Sequence, residues 1–301
     1  MLVAVGNPEH VEQLVRTAGD LAAGGSGTVR IVTVVVKPRD SPFGVFADET
    51  IRREFAGDSH ELLERARTPP GVTVEREVVV GQSVAGGLLS AVEETAPAAL
   101  VVGWQGRSRR TDALLGTTVD RLVERAPCDL YVERVGREAN GVESVLLPVA
   151  AGPHVRAAAT VARSIAERND ARVHVLSVET PGIDGTAAEH VAQARDLLEG
   201  WNGNGNRGRE AAGGGEVVET RTVPVTTETV DATDLTDALV AAAAGHDVVV
   251  LGATRKGPLR GRLVGSVPRR LVDRTDATVI LARDGSVVGG LLGRLGGLLR
   301  R

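Results

Sequence analysis

The sequence predicts an α/β protein made of two tandem doubly wound domains. Three observations predict it: the chain repeats itself, each copy alternates strand with helix, and the strands are apolar on both faces. The first copy opens "LVAVGNPEHVEQLVRTAGDLA" and the second "LLPVAAGPHVRAAATVARSIA". At an offset of 144, Val11, Leu14, Val15, Ala18, Leu21 and Ala22 face Val155, Ala158, Ala159, Ala162, Ile165 and Ala166. Self-similarity at a fixed spacing marks a duplicated unit. Further on the offset is 149, so that Gly103 pairs with Gly252, Gly116 with Gly265 and Thr117 with Ser266. The shift falls mainly in "GWNGNGNRGREAAGGGE", a run rich in Gly and Asn without apolar periodicity, which reads as a surface loop.

In the first copy the strands are expected at 2–5, 29–36, 72–80, 98–103 and 129–134, with helices near 8–23, 48–66, 83–96 and 117–126. The apolar stripe from Val11 to Ala22 has helical spacing. Pro8 and Pro153 stand in or near a first helical turn, where a missing amide hydrogen costs nothing. Runs such as "IVTVVV" and "ALVVG" suit strands covered by helices on both sides. Strands that alternate with helices form a parallel sheet through right-handed crossovers.

A chain of 301 residues is long enough for two cores of ordinary size. Aromatic residues make up only 2%, so the cores rest on Val, Leu, Ile and Ala, and no stock of rings exists to stack single-stranded bases. A net charge of −4 argues against a general nucleic-acid surface. Cys128 is the single cysteine, which excludes an internal disulfide and a cysteine-based metal centre. A reduced compartment, no secretory leader and no run long enough to span a bilayer give the expectation of a cytoplasmic protein.

The stretch with chemical content is "GWQGRSRRTDALLGTTVDRL". Gly103 ends an apolar strand, Gly106 follows after two residues, and Gly116 and Thr117 open the next helix after nine more. Glycines admit positive φ and bring backbone amides close to an anion, and a helix N-terminus favours negative charge. Arg107, Arg109 and Arg110 add positive charge to the same loop. On spacing alone the segment reads equally well as a phosphate cradle or as a capped helix after a glycine turn. Two other matches fail on context. "GNGNRG" at Gly203 lacks a strand before it and a helix after it, and "GATRKGPL" at Gly252 has Pro258 and Leu259 where a P-loop needs Lys and Ser or Thr.

The spacing Gly103-x2-Gly106-x9-Gly116-Thr117, between the fourth strand and fourth helix, resembles the ATP-binding motif of the universal stress protein family. The resemblance covers two tandem copies, giving domains at 1–137 and 143–284 and an amphipathic tail at 285–301. It implies five-stranded parallel sheets with helices on both faces, a fold like that of the adenine nucleotide alpha hydrolases. It also implies a regulatory ATP, with or without Mg2+, held by Gly103, Gly106, Arg107, Gly116, Thr117 and Thr118, with the adenine near Val34. The matching second-copy positions are Gly252, Gly265 and Ser266. Domains of this family often pair through their last strands, here "DLYVERV" and "TVILARD", within one chain or between two. Two departures weaken the motif. Gly6 and Ala150 replace an aspartate usual at the end of the first strand, and Arg255 replaces the second glycine of copy two, so the second site is expected to be degenerate.

A different class of reading is an interaction module without nucleotide, since tandem domains opening like "LPVAAGPH" also resemble cytosolic regions of some prokaryotic transporters. An ATP pyrophosphatase or nucleotidyltransferase needs a phosphate loop or a histidine pair at the first strand, and "VAVGNPEH" and "PVAAGPH" contain neither. His10 and His154 are expected on the surface, Cys128 as a small buried apolar residue and Trp104 in packing. No histidines have metal-ligand spacing. In the tail, Val287, Leu291, Leu295 and Leu298 share a helical stripe, expected to dock on its own domain or on a partner.

Overall fold

The computed structural model describes residues 1–23, 27–37, 42–104, 116–136, 141–179, 184–200, 222–253 and 266–287. In the first half, Val- and Leu-rich runs form β1 (Leu2–Ala4), β2 (Thr28–Val36), β3 (Thr73–Gly81), β4 (Ala99–Gly103) and β5 (Asp129–Arg134). The helices between them are α1 (Val11–Ala22), α2 (Asp48–Glu54), α3 (Gly57–Glu64), α4 (Val84–Thr95) and α5 (Thr117–Arg125). The second half repeats the order with β6 (Ser144–Pro148), α6 (Val155–Asn169), β7 (Arg172–Glu179), α7 (Ala187–Glu199) and β8 (Val225–Asp231). It ends with α8 (Leu235–Ala243), β9 (Val248–Gly252), α9 (Ser266–Arg274) and β10 (Thr278–Arg283).

Two elements differ from expectation. The helix expected over 48–66 is broken at Phe55–Ala56, where Phe55 leaves helical geometry and packs on Phe46 with ring centroids 5.4 Å apart. Arg52 ties α2 to β3 by donating to the Val78 carbonyl, so tertiary contacts override the continuous periodicity. The first helix starts at Val11 rather than at Pro8, because the Asn7 side chain accepts the Glu9 amide and holds a turn there.

The strands form one ten-stranded sheet in the order β3-β2-β1-β4-β5-β10-β9-β6-β7-β8. Pairing is parallel within each half and antiparallel only between β5 and β10. One core layer packs α1, α3, α6 and α7 on a face of the sheet, and the other packs α4, α5, α8 and α9 on the opposite face. Burying such apolar side chains supplies most of the favourable free energy, at about 25 cal/mol per Å².

The halves join through their last strands within one chain, and the junction obeys a local twofold. Val132 lies opposite Leu281, its own counterpart in the other copy. Arg134 donates to the carbonyls of Thr275 and Ala277, at 3.0 and 3.2 Å, while Arg283 donates to those of Ala126 and Cys128, at 2.8 and 2.7 Å. The Gly136 amide donates to Thr278 Oγ1 and the Gly285 amide to Asp129 Oδ1. A Cβ on Gly136 would fall 2.3 Å from the Asp276 carbonyl oxygen, and one on Gly285 2.5 Å from the Cys128 carbonyl carbon. Only glycine fits at either place. The arginine contacts repeat with the same backbone acceptors on each side, as at an isologous interface, while the glycine amides meet a hydroxyl on one side and a carboxylate on the other.

Candidate functional site

In the first half the strand order reverses between β1 and β4, so the chain leaves these neighbours toward opposite faces. A crevice opens beyond their carboxyl ends, the usual ligand position in open α/β sheets. Here it is a cavity of about 410 Å³. Val34 and Leu88 line its apolar side, while Gly6, Asn7, Gly103 and Thr118 line its polar rim. A second cavity of about 460 Å³ shares Gly6, Val34 and Val84 and is bordered by Asp58 and Ser59 of α3.

Of the sequence-predicted residues that are described, Val34, Gly103 and Thr118 line this crevice, whereas Gly116 and Thr117 are not among its lining residues and Gly252 and Ser266 lie in the second half. Gly103 ends β4, and a Cβ there would sit 3.0 Å from Leu14 Cδ1. Gly116 precedes α5 with φ +98, a left-handed backbone that a side chain would strain, although the space around it is open. Thr117 is exposed and Thr118 half-buried against the cavity. Among the described residues no side chain caps α5, whereas Ser83 caps α4, Thr186 caps α7 and Asp234 caps α8. Among the described residues the first amides of α5 thus have no capping side chain, a trait α5 shares with α1, α2, α3 and α6. Gly106 and Arg107 lie outside the described residues, as do Arg109, Arg110, Arg255 and Gly265.

Gly6 is exposed, and a Cβ added there would meet nothing within 4 Å. The aspartate absent from this position would fit.

The second half departs from this geometry. At Gly252 a Cβ would lie 3.3 Å from the His154 carbonyl oxygen, so the turn after β6 presses on the end of β9. His154 is 2% exposed, not the surface residue its sequence suggests. Its Nδ1 accepts the Asp284 amide at 3.1 Å, which draws the ring inward. Arg156 pairs with the Asp284 carboxylate at 2.9 Å, and against burial, which raises it, hydrogen bonds from Ser286 and Arg156 hold that carboxyl below the usual range. His10, its first-half counterpart, stays half-exposed on the cavity rim. Ala150 is half-buried, and Ser266 begins α9.

Sequence reasoning overlooked Glu133. It is fully buried in β5, directly opposite Gly103, and its carbonyl accepts the Trp104 amide at 2.7 Å. Gln13 donates to its Oε1 at 3.1 Å, and Oε2 has no partner among the described residues. Burial pushes its carboxyl up to about 7 against hydrogen bonds from Thr17 and Gln13. Asp20, bonded to Asn169 of the second half, is pushed up to about 6 by the same cause. The available signal was a charged residue inside the apolar run "DLYVERV". Trp104 is buried in packing, as expected, whereas Cys128 is only half-buried. Of the tail only Gly285, Ser286 and Val287 are described, so its helical stripe lies largely outside the described residues.

A duplicated doubly wound sheet, joined through its last strands and opening a crevice at the reversal of strand order, defines a tandem doubly wound α/β protein. The sequence matches the universal stress protein family over residues 1–134 and again over 141–283, and the chain belongs to that family. No curated protein matches it. Among solved structures it resembles a universal stress protein from Archaeoglobus fulgidus DSM 4304, with TM-score 0.61 and 16% identity, covering 95% of this chain and 97% of that one. It also resembles the cytoplasmic domain of a prokaryotic cation chloride cotransporter, with TM-score 0.56, 12% identity and 94% and 95% coverage. A universal stress protein assigned to Pseudomonas aeruginosa UCBPP-PA14 gives TM-score 0.54, 14% identity and 96% and 94% coverage. At these identities the likeness is one of fold. Among the described residues no helix is long and apolar enough to cross a membrane.

Proposed function

We propose that the first half binds an adenine nucleotide, ATP with or without Mg2+, as a regulatory ligand, and that the second half does not. The observation that carries this reading is the crevice at β1 and β4 beside the uncapped start of α5. Its apolar side at Val34 and Leu88 suits a purine, and the α5 amides beyond Gly116 suit phosphate. Gly103, Gly106, Arg107, Gly116, Thr117 and Thr118 form the phosphate side, and Val34 the adenine side. Gly252, Gly265 and Ser266 are the remnants of a second site, where the His154 backbone lies beside Gly252. The domains are 1–137 and 143–284, in a cytoplasmic chain. Calorimetry with ATP and Mg2+ tests the reading. Binding should be seen for the whole chain, and no heat at millimolar ligand overturns it.

A second reading is an interaction module that has lost its nucleotide, and Gly6 favours it. Without an aspartate there, a charge-assisted hydrogen bond worth about 1.5–3 kcal/mol is missing. The partner would then be a protein, with a membrane transporter one candidate. A pull-down from membranes with and without ATP separates the two readings. Recovery of the same partners regardless of ATP supports the second.

A further inference from the structure

At the amino ends of β7 and β9, far along the chain from the crevice loop, two histidine rings meet with their planes inclined by 29°. His174 Nδ1 lies 3.3 Å from His246 Nε2, nearer than the ring centroids at 5.2 Å. The outer nitrogen of each ring is already committed. His246 Nδ1 donates to the Ala242 carbonyl at 2.8 Å, and His174 Nε2 donates to Glu228 Oε2 at 3.1 Å. Both outer partners are pure acceptors, so each outer nitrogen carries the ring's hydrogen. Both inner nitrogens then present lone pairs to each other. Two neutral rings in this state repel unless a cation lies between them.

A proton would place a His174 imidazolium between Glu228 and His246, a state that needs no metal and that Zn2+ titration separates from metal binding. A metal ion fits the distance: tetrahedral Zn2+ with bonds of about 2.0–2.1 Å places two nitrogens roughly 3.3–3.4 Å apart. The carboxylate and the carbonyl behind the rings are the outer partners that fix tautomer and orientation at histidine-ligated metals. His174 is 19% exposed and Glu228 53%, so water can reach the remaining positions. Among the described residues no group of three side chains converges as ligands, which leaves two imidazoles as the protein's share.

The first half shows what a purely structural contact here looks like. Arg30, the counterpart of His174, pairs with Glu77, the counterpart of Glu228, at 3.3 Å, and Pro97 stands where the second half has His246. The second half thus exchanges an arginine for a histidine and adds a second ring facing it.

We propose that His174 and His246 bind a borderline divalent transition-metal ion such as Zn2+, with Glu228 orienting His174 from behind and water completing the tetrahedron. The site does not depend on the nucleotide reading. Glu228 is a positioning residue, since it meets the metal only through the imidazole it holds.

The test is calorimetric titration of the full, untagged chain with Zn2+ near neutral pH, with circular dichroism to check the fold. His246→Gln and His174→Arg are each expected to weaken binding by at least ~10-fold, and Glu228→Gln by about 10-fold. His174→Arg recreates the first-half ion pair and is expected to keep the fold while losing the metal. The variants also distinguish this site from His10, His60, His154, His190 and Cys128. No Zn2+ binding by the wild type overturns the proposal, and so does binding unchanged in folded His174→Arg and His246→Gln.

Discussion

The two halves of this chain share a trace but not a chemistry, and they diverge at two places around equivalent strands. At the crevice the first half has Gly6, Leu14 and a glycine, Gly103, with the helix backbone held away from it. The second half has Ala150, the smaller Ala158, and the His154 backbone pressed to 3.3 Å from a Cβ on Gly252. At the junction the first half buries Glu133 and Thr17 beside a half-buried Gln13, and their counterparts are Ala282, Val161 and Ala157. The contrast teaches that duplication preserves what the backbone needs, while side chains at the same positions are free to take different roles. The glycines at the twofold, Gly136 and Gly285, persist in both copies because backbone lies where a side chain would go. The polar groups behind the first crevice do not persist.

The largest effect expected is at the crevice. Gly116→Val places a β-branched residue at φ +98 and should abolish ATP binding, read by calorimetry. Gly252→Ala should leave that binding unchanged, and equal loss from both variants would erase the proposed difference between halves.

The buried carboxyl comes next. Glu133 ordinarily titrates near 4.5 and is pushed up to about 7 in the fold. A carboxyl raised in this way contributes stability that is present below the lower value and is lost as pH rises through the higher one. Relative to Glu133→Gln, the wild type should lose on the order of 3 kcal/mol between these limits, measured by urea unfolding across pH. Asp20, raised from 3.8 to about 6, adds a change of the same sign. Parallel pH profiles for wild type and Glu133→Gln would contradict the burial of a titrating group at the junction.

Restoring the missing acid has a somewhat smaller effect. Gly6→Asp enters open space, and should tighten ATP binding about ten- to a hundred-fold if the nucleotide lies as proposed. Unchanged affinity would place the ligand away from β1. The smallest effect concerns capping. Thr186 and Glu189 form a capping box on α7, while Ala56 offers α3 no side-chain acceptor. Thr186→Ala should cost about 1 kcal/mol by urea unfolding.

Much of the architecture was legible because periodicity and duplication are local signals. The stripe from Val11 to Ala22 and the runs "ALVVG" and "IVTVVV" fix helix and strand types without reference to partners. The break at Phe55–Ala56 was not legible, since it depends on Phe46 and on the Val78 carbonyl across the fold. At the crevice the spacing around Gly103 and Gly116 could be read directly. The burial of His154 could not, because it rests on the Asp284 amide, 130 residues away. The facing of His174 and His246 arises in the same way: 72 residues separate them in sequence, and only the pairing of β7, β8 and β9 around β6 brings their rings together.

The most direct measurement is the stoichiometry of ATP binding to the intact chain by equilibrium dialysis at saturating nucleotide. The account predicts one nucleotide per chain, lost in Gly116→Val and kept in Gly252→Ala. Two per chain, or none, would contradict it.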